Sequence, residues 1–172
     1  MRLIFTHFAF FSCVVAASIV AAEPTDVPGN WPRFRGPFGT GYSGASDLPK
    51  DLNADSIAWT SELPIRGHSS PIVWGDRIFL TGTTGKAESV ERRIVCVNRE
   101  NGDVLWNKVA ATGDAEPLHK MNSWATPSCA TDGQRVVAFF GAGGLHCYDN
   151  DGKKLWSRDL GTFPGPWGVG AS

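Results

Sequence analysis

Short apolar runs alternate with glycine- and aspartate-bearing steps over most of this chain. Alternation of period two marks a half-buried strand. Asn-Gly and Asp-Gly steps suit the positive φ that tight hairpins need. On that pattern strands are expected at 57–63, 69–74, 77–81, 92–98, 103–110, 125–131, 135–140, 145–148 and 153–160. Hairpin turns are expected at Gly75-Asp76, Asn101-Gly102, Asp132-Gly133 and Asp151-Gly152. No stretch after Ala22 carries a helical period. The expected class is all-β.

The pattern repeats. Residues 144–156 read GLHCYDNDGKKLW, and residues 94–106 read IVCVNRENGDVLW. Asn98, Gly102 and Trp106 in the first copy answer Asp149, Gly152 and Trp156 in the second. Cys96 answers Cys147, Ser70-Pro71 answers Thr126-Pro127, and Trp59 stands about one period before Trp106. A period of about 40–50 residues holding four strands is the signature of propeller blades. A four-stranded antiparallel blade has two faces to cover, and a radial array lets each face pack on its neighbour. A tryptophan near the start of each outermost strand can wedge between blades. An open β-sandwich of hairpins is the competing arrangement, and it gives the tryptophan spacing no reason. The expectation is a β-propeller of four-stranded antiparallel blades, with two complete blades at about 66–110 and 123–160. The strand at 57–63 is read as the outer strand of a preceding blade, and Ala171-Ser172 as the start of a following one. The expected ring is therefore incomplete, and the chain is read as a fragment or a truncated product of a longer propeller.

Composition adds a compartment. Residues 1–22 have a positive start at Arg2, an apolar run and a small-residue exit at Val20-Ala21-Ala22. This is the layout of a secretory signal peptide cleaved after Ala22, with an uncleaved anchor as the alternative. The expected location is periplasmic or extracellular, with no transmembrane segment after cleavage. Cys13, preceded by Phe10-Phe11-Ser12, makes a poor lipoprotein signal. Cys96, Cys129 and Cys147 remain, an odd number in apolar strand contexts, and are read as small buried hydrophobes. Residues 23–55 are a lead-in rich in Pro and Gly, and 56–172 are the partial propeller. The rings around Trp31, Phe34 and Phe38 are expected to dock on the body. Gly39, Gly41 and Gly44 match a dinucleotide fingerprint by letters, but no strand precedes them and no helix follows. A net charge of −1 argues against bulk attraction to nucleic acid.

These residues resemble the pyrroloquinoline-quinone-like (PQQ-like) propeller repeat, over roughly 30–172. The segment from Trp31 to Pro37 and the Asn122-Ser123-Trp124-Ala125-Thr126-Pro127 stretch are similar to exported bacterial members of that family. The resemblance implies a ring usually closed by eight blades. In active quinoprotein dehydrogenases it implies a vicinal Cys-Cys pair, a calcium ion held by acidic and amide groups, and a catalytic Asp. This chain has no Cys-Cys pair and no acidic cluster at a matching loop position. The expected role is therefore a non-enzymatic binding or scaffold module with a protein, glycan or small-molecule partner. No catalytic residue, metal or cofactor is expected, PQQ entering only through the resemblance. The alternatives are a quinoprotein oxidoreductase whose ligands lie in other blades, and a non-functional fragment.

Blade topology places the tight turns at one end and the longer loops, at 83–91, 111–124 and 161–170, at the other. Binding residues tend to sit on such loops. The candidates there are Arg66, His68, His119, Lys120, Asn122, Trp124 and Trp167. Arg and Lys supply charge and Trp supplies stacking for an anionic or quinoid ligand. A structural reading competes: Trp124 and Trp167 fill the gap between blades, and His119 and Asn122 bond the loop backbone. His146 and Cys147 are adjacent on a strand and point to opposite faces, which speaks against a shared metal.

Overall fold

The computed structural model describes residues 29–46, 48–163, 165, 167 and 169. The expected signal peptide at 1–22 and the expected third-blade start at Ala171-Ser172 both lie outside the described residues.

The molecule is all-β. The first antiparallel sheet comprises β1 (Ile72–Trp74), β2 (Arg77–Lys86), β3 (Ser89–Asn98) and β4 (Val104–Gly113), in that spatial order. The second comprises β5 (Ala130–Thr131), β6 (Arg135–Phe139), β7 (Leu145–Asp149) and β8 (Lys154–Arg158), ordered likewise. These are two propeller blades, and the described residues do not close a ring. The only helical pieces among them are 3-10 turns at Ala54–Ser56 and Gly141–Gly143.

The core lies between the blades. Ile72, Phe79, Ile94 and Cys96 from the first sheet meet Val136, Ala138 and Tyr148 from the second and Cys129 just before β5. Trp106 on β4 is the wedge. Its ring lies 5.9 Å from Phe79 and stacks 6.3 Å from Tyr148, and its Nε1–H donates to the Asn150 carbonyl at 2.8 Å. Trp59 repeats the device one blade earlier, donating from Nε1 to the Arg99 carbonyl at 2.8 Å. Each tryptophan covers a hairpin glycine of the following blade. A Cβ on Gly102 would lie 2.5 Å from the Trp59 ring, and one on Gly152 would lie 2.8 Å from the Trp106 ring. Both glycines also hold positive φ, 80° and 79°, so the turn and the wedge demand glycine together.

The remaining repeat residues shape the same turns. The Asn98 side chain accepts from Glu100 N at 2.7 Å, and Asp149 Oδ1 accepts from Asp151 N and Lys153 N. Such side-chain bonds mimic the backbone turn and make Asn and Asp natural there. Arg77 donates to the Asn150 carbonyl and pairs with Asp151 at 3.1 Å, tying β2 to the next blade.

Several expected boundaries move. Residues 57–63 have no strand ladder among the described residues; Trp59 is held by its turn contact instead. The strands at 69–74 and 125–131 shrink to β1 and β5. Here side chains replace ladder bonds: Ser69 Oγ accepts from Thr81 N, and Thr81 Oγ1 donates to the Pro127 carbonyl at 2.8 Å. The loop expected at 83–91 is mostly ladder, since β2 and β3 pair out to Lys86 and Ser89. Alternation weakens there because Gly82, Thr83, Thr84 and Gly85 have no large apolar side chain.

The lead-in docks, but through its backbone: of the rings expected on the body, those of Phe34 and Phe38 do not pack there. Trp31 exchanges two backbone bonds with Val73 on β1, at 2.8 and 2.9 Å, and Pro32 O accepts from Thr131 N on β5. The segment thus bridges the innermost strands of both blades. Phe34, Phe38 and Tyr42 stay exposed.

Candidate functional site

Antiparallel order puts the Gly75-Asp76, Gly102, Gly133 and Gly152 turns at one end of the blades. The β2–β3 hairpin and the β4–β5 connection lie at the opposite end. A cleft of about 930 Å³ opens there, walled by residues 62–68, by Thr83–Gly85 at the top of β2, and by Leu118, Lys120 and 122–124. Arg66, His68, Lys120, Asn122 and Trp124 all line it. Sequence reading missed Glu62, Thr84 and Ser123, which also line it. Their signal was position alone, because none belongs to a residue pattern with a chemical meaning.

The walls are well anchored. Arg66 forms an isolated antiparallel bridge to Thr83, with backbone bonds of 2.7 and 3.0 Å. His68 N donates to Ser123 Oγ at 3.2 Å, joining the two walls. Trp124 Nε1 donates to the Glu116 carbonyl at 2.8 Å, and Asn122 Nδ2 donates to the Trp167 carbonyl at 2.7 Å. His119 lies outside the cleft, its ring 4.9 Å from Trp167 and its Nδ1 accepting from Met121 N. The competing structural roles thus fit His119, and the side-chain nitrogens of Asn122 and Trp124 are also engaged. Arg66, His68 and Lys120 differ: their side chains have no hydrogen bond or ion pair among the described residues.

Two other cations at this end, Arg92 and Arg93, are spent, while Lys86 on the β2–β3 hairpin is exposed. Arg93 pairs with Glu91 at 2.8 Å and donates to Asn107 Oδ1. Hydrogen bonds from Thr84 and then Arg93 hold the Glu91 carboxyl below its ordinary range. Arg92, only 2% exposed, pairs with Glu116 at 2.9 Å and also donates to the Asp114 carbonyl. That buried pair fixes the 114–116 segment, and the Glu116 carbonyl in turn holds Trp124.

His146 and Cys147 are both buried. His146 Nε2 lies 2.7 Å from the Gly143 carbonyl, and burial lowers the imidazole pKa. Cys96, Cys129 and Cys147 are free and buried, and desolvation pushes Cys96 up to about 11 and Cys129 up to about 12. Raised thiols are poor nucleophiles and poor metal ligands. Among the described residues no three His, Cys, Asp or Glu converge as a metal site. No described helix is long and apolar enough to cross a membrane. Gly39, Gly41 and Gly44 meet nothing within 4 Å where a Cβ would stand, and no α-helix follows them among the described residues.

Among protein families, the model described as outer membrane protein assembly factor BamB, a PQQ repeat, matches residues 51–165. No curated protein matches the chain.

Proposed function

The chain belongs to the BamB-like PQQ-repeat family, and on that premise we propose that it is an exported, non-enzymatic binding module that engages its partner through the long-loop end of the blades. One observation carries this reading: an anchored cleft in which Arg66, His68 and Lys120, unpaired among the described residues, stand beside Trp124. Side chains on an anchored backbone without a partner among the described residues are open to a ligand, at an ordering cost of about 0.5–1.5 kcal/mol each. The family description supports a binding role, since it names an assembly factor and no reaction. The signal-like residues 1–22 support export.

Affinity capture from the exported fraction tests the reading. Wild-type protein should retain a partner that Trp124→Ala and Arg66→Ala lose. Sequencing of the exported chain should begin at Glu23. Dye-linked dehydrogenase activity on adding PQQ and calcium, with no partner retained, would overturn the proposal.

A further inference from the structure

We propose that the cleft takes a small molecule bearing an oxyanion, carboxylate or phosphate, held between Arg66 and Lys120. This rests on the reading that the long-loop end is the binding face, and it names the ligand chemistry. The two cations come from different walls, Arg66 from the segment bridged to β2 and Lys120 from the β4–β5 connection. Neither is neutralised within the described structure, whereas neighbouring Arg92 and Arg93 each have a carboxylate partner. An arginine fork suits a two-oxygen group, and a lysine ammonium adds a point charge from the far side. His68 adds a third group with an unused ring.

Composition of the lining sets the charge and size of the ligand. Among the described residues lining the cleft Glu62 is the one carboxylate, and it offsets part of the positive field. That suits a mono- or dianion better than a polyanion such as nucleic acid, which needs many phosphate contacts at once. The volume of about 930 Å³ suits a drug-sized molecule, with the Trp124 ring as an apolar wall.

The test is calorimetric titration of the full mature chain at constant ionic strength, with citrate, inorganic phosphate and glycerol as probes. At least one anion should saturate at one site, and glycerol should not. Tighter citrate assigns a carboxylate ligand, and tighter phosphate assigns a phosphate ligand. Arg66→Gln should weaken the preferred anion about tenfold, the effect of losing one charge-assisted pair, and Arg66→Gln with Lys120→Gln should abolish saturation. Arg158→Gln on exposed β8 should leave it unchanged. Both cleft cations are exposed and unpaired among the described residues, so thermal unfolding of the double variant should match wild type. No saturable binding of either anion, or equal binding by the double variant, overturns the proposal. Partner capture read in parallel separates the two ideas: capture lost in Trp124→Ala without any anion binding leaves the binding face standing and removes only the oxyanion.

Discussion

Substituting Gly152→Ala tests whether the tryptophan wedge and the turn glycine are one device. Two costs meet at Gly152. Its φ of 79° strains any residue with a Cβ, by about 1–2 kcal/mol. A Cβ there would also lie 2.8 Å from the Trp106 ring. That ring cannot easily retreat, because Phe79 and Tyr148 flank it and Asn150 O holds its nitrogen. Overpacking of this kind costs about 1–3 kcal/mol. Gly75 is the internal control: its φ is 59° and a Cβ there meets nothing within 4 Å. Gly75→Ala should therefore cost only the backbone share. In urea unfolding the expected losses are about 1–2 kcal/mol at Gly75 and about 2–5 kcal/mol at Gly152. For a chain of this size each kcal/mol lowers Tm by roughly 2–4 °C. Trp106→Ala should itself cost about 3–5 kcal/mol, but in that background Gly152→Ala should fall to the Gly75 value. Equal losses at Gly75 and Gly152, or full additivity with Trp106→Ala, would refute the coupling.

Further predictions concern buried groups. Cys96, Cys129 and Cys147 should react with a thiol reagent at neutral pH only at the rate of unfolding, so the reaction should accelerate sharply in urea. Cys129 rises from 9.0 to about 12 and Tyr148 from 10.0 to about 12, chiefly through burial. The unfolded chain thus ionises first, so the stability tied to these groups is whole below about pH 9 and is lost toward pH 12. Cys129→Ala should flatten that alkaline decline in the urea midpoint. His146 has the opposite sign. Burial lowers its pKa below 6.5, so its contribution is whole above that value and shrinks as acid protonates the unfolded chain first. The stability gap between wild type and His146→Phe should move accordingly below pH 6.5. Glu116→Ala leaves Arg92 buried without its carboxylate and should cost about 2–3 kcal/mol in urea unfolding, less than a fully buried pair because Glu116 is partly exposed.

The hairpins were legible because their determinants are local. Asn98, Gly102, Asp149 and Gly152 each satisfy a turn within a few residues, so letters and spacing suffice to find them. Trp106 was legible through its repeat, since a wedge used in every blade must recur at the blade period. The segment at 57–63 was misread because its apolar pattern is met by one tryptophan contact rather than by a ladder. The extension of β2 and β3 to Lys86 and Ser89 was missed because backbone pairing needs no apolar side chain. At the cleft, Arg66, His68, Asn122 and Trp124 were reached through topology, which says only that they share an end. Which of them are consumed depends on pairings across the fold. Asn122 spends its amide on Trp167 and the His119 ring tilts against that residue, while the Arg66 and Lys120 side chains have no partner among the described residues. No spacing rule reports that difference.

The two ends of the blades therefore do separate work, and this bears on how variants should be read. At the tight-turn end the wedge and turn groups are committed: Trp59 to Arg99, Trp106 and Arg77 to Asn150, and Asn98 and Asp149 to their own turns. Changes there should lower stability and leave the intrinsic chemistry of the cleft alone. At the long-loop end the uncommitted cations sit on walls pinned by backbone and by Ser123, so removing Arg66 or Lys120 takes away no internal bond. Surface changes of that kind usually fall within about 0.5 kcal/mol. Trp156 marks where this division leaves work unfinished. It stands on β8 as Trp106 stands on β4, yet it is 37% exposed against 9%. Nothing among the described residues gives it the turn that Gly152 gives Trp106. A tryptophan fluorescence shift to the blue on adding a partner, lost in Trp156→Phe and kept in Arg66→Gln, would assign that partner to the β8 face; the reverse pattern would assign it to the cleft.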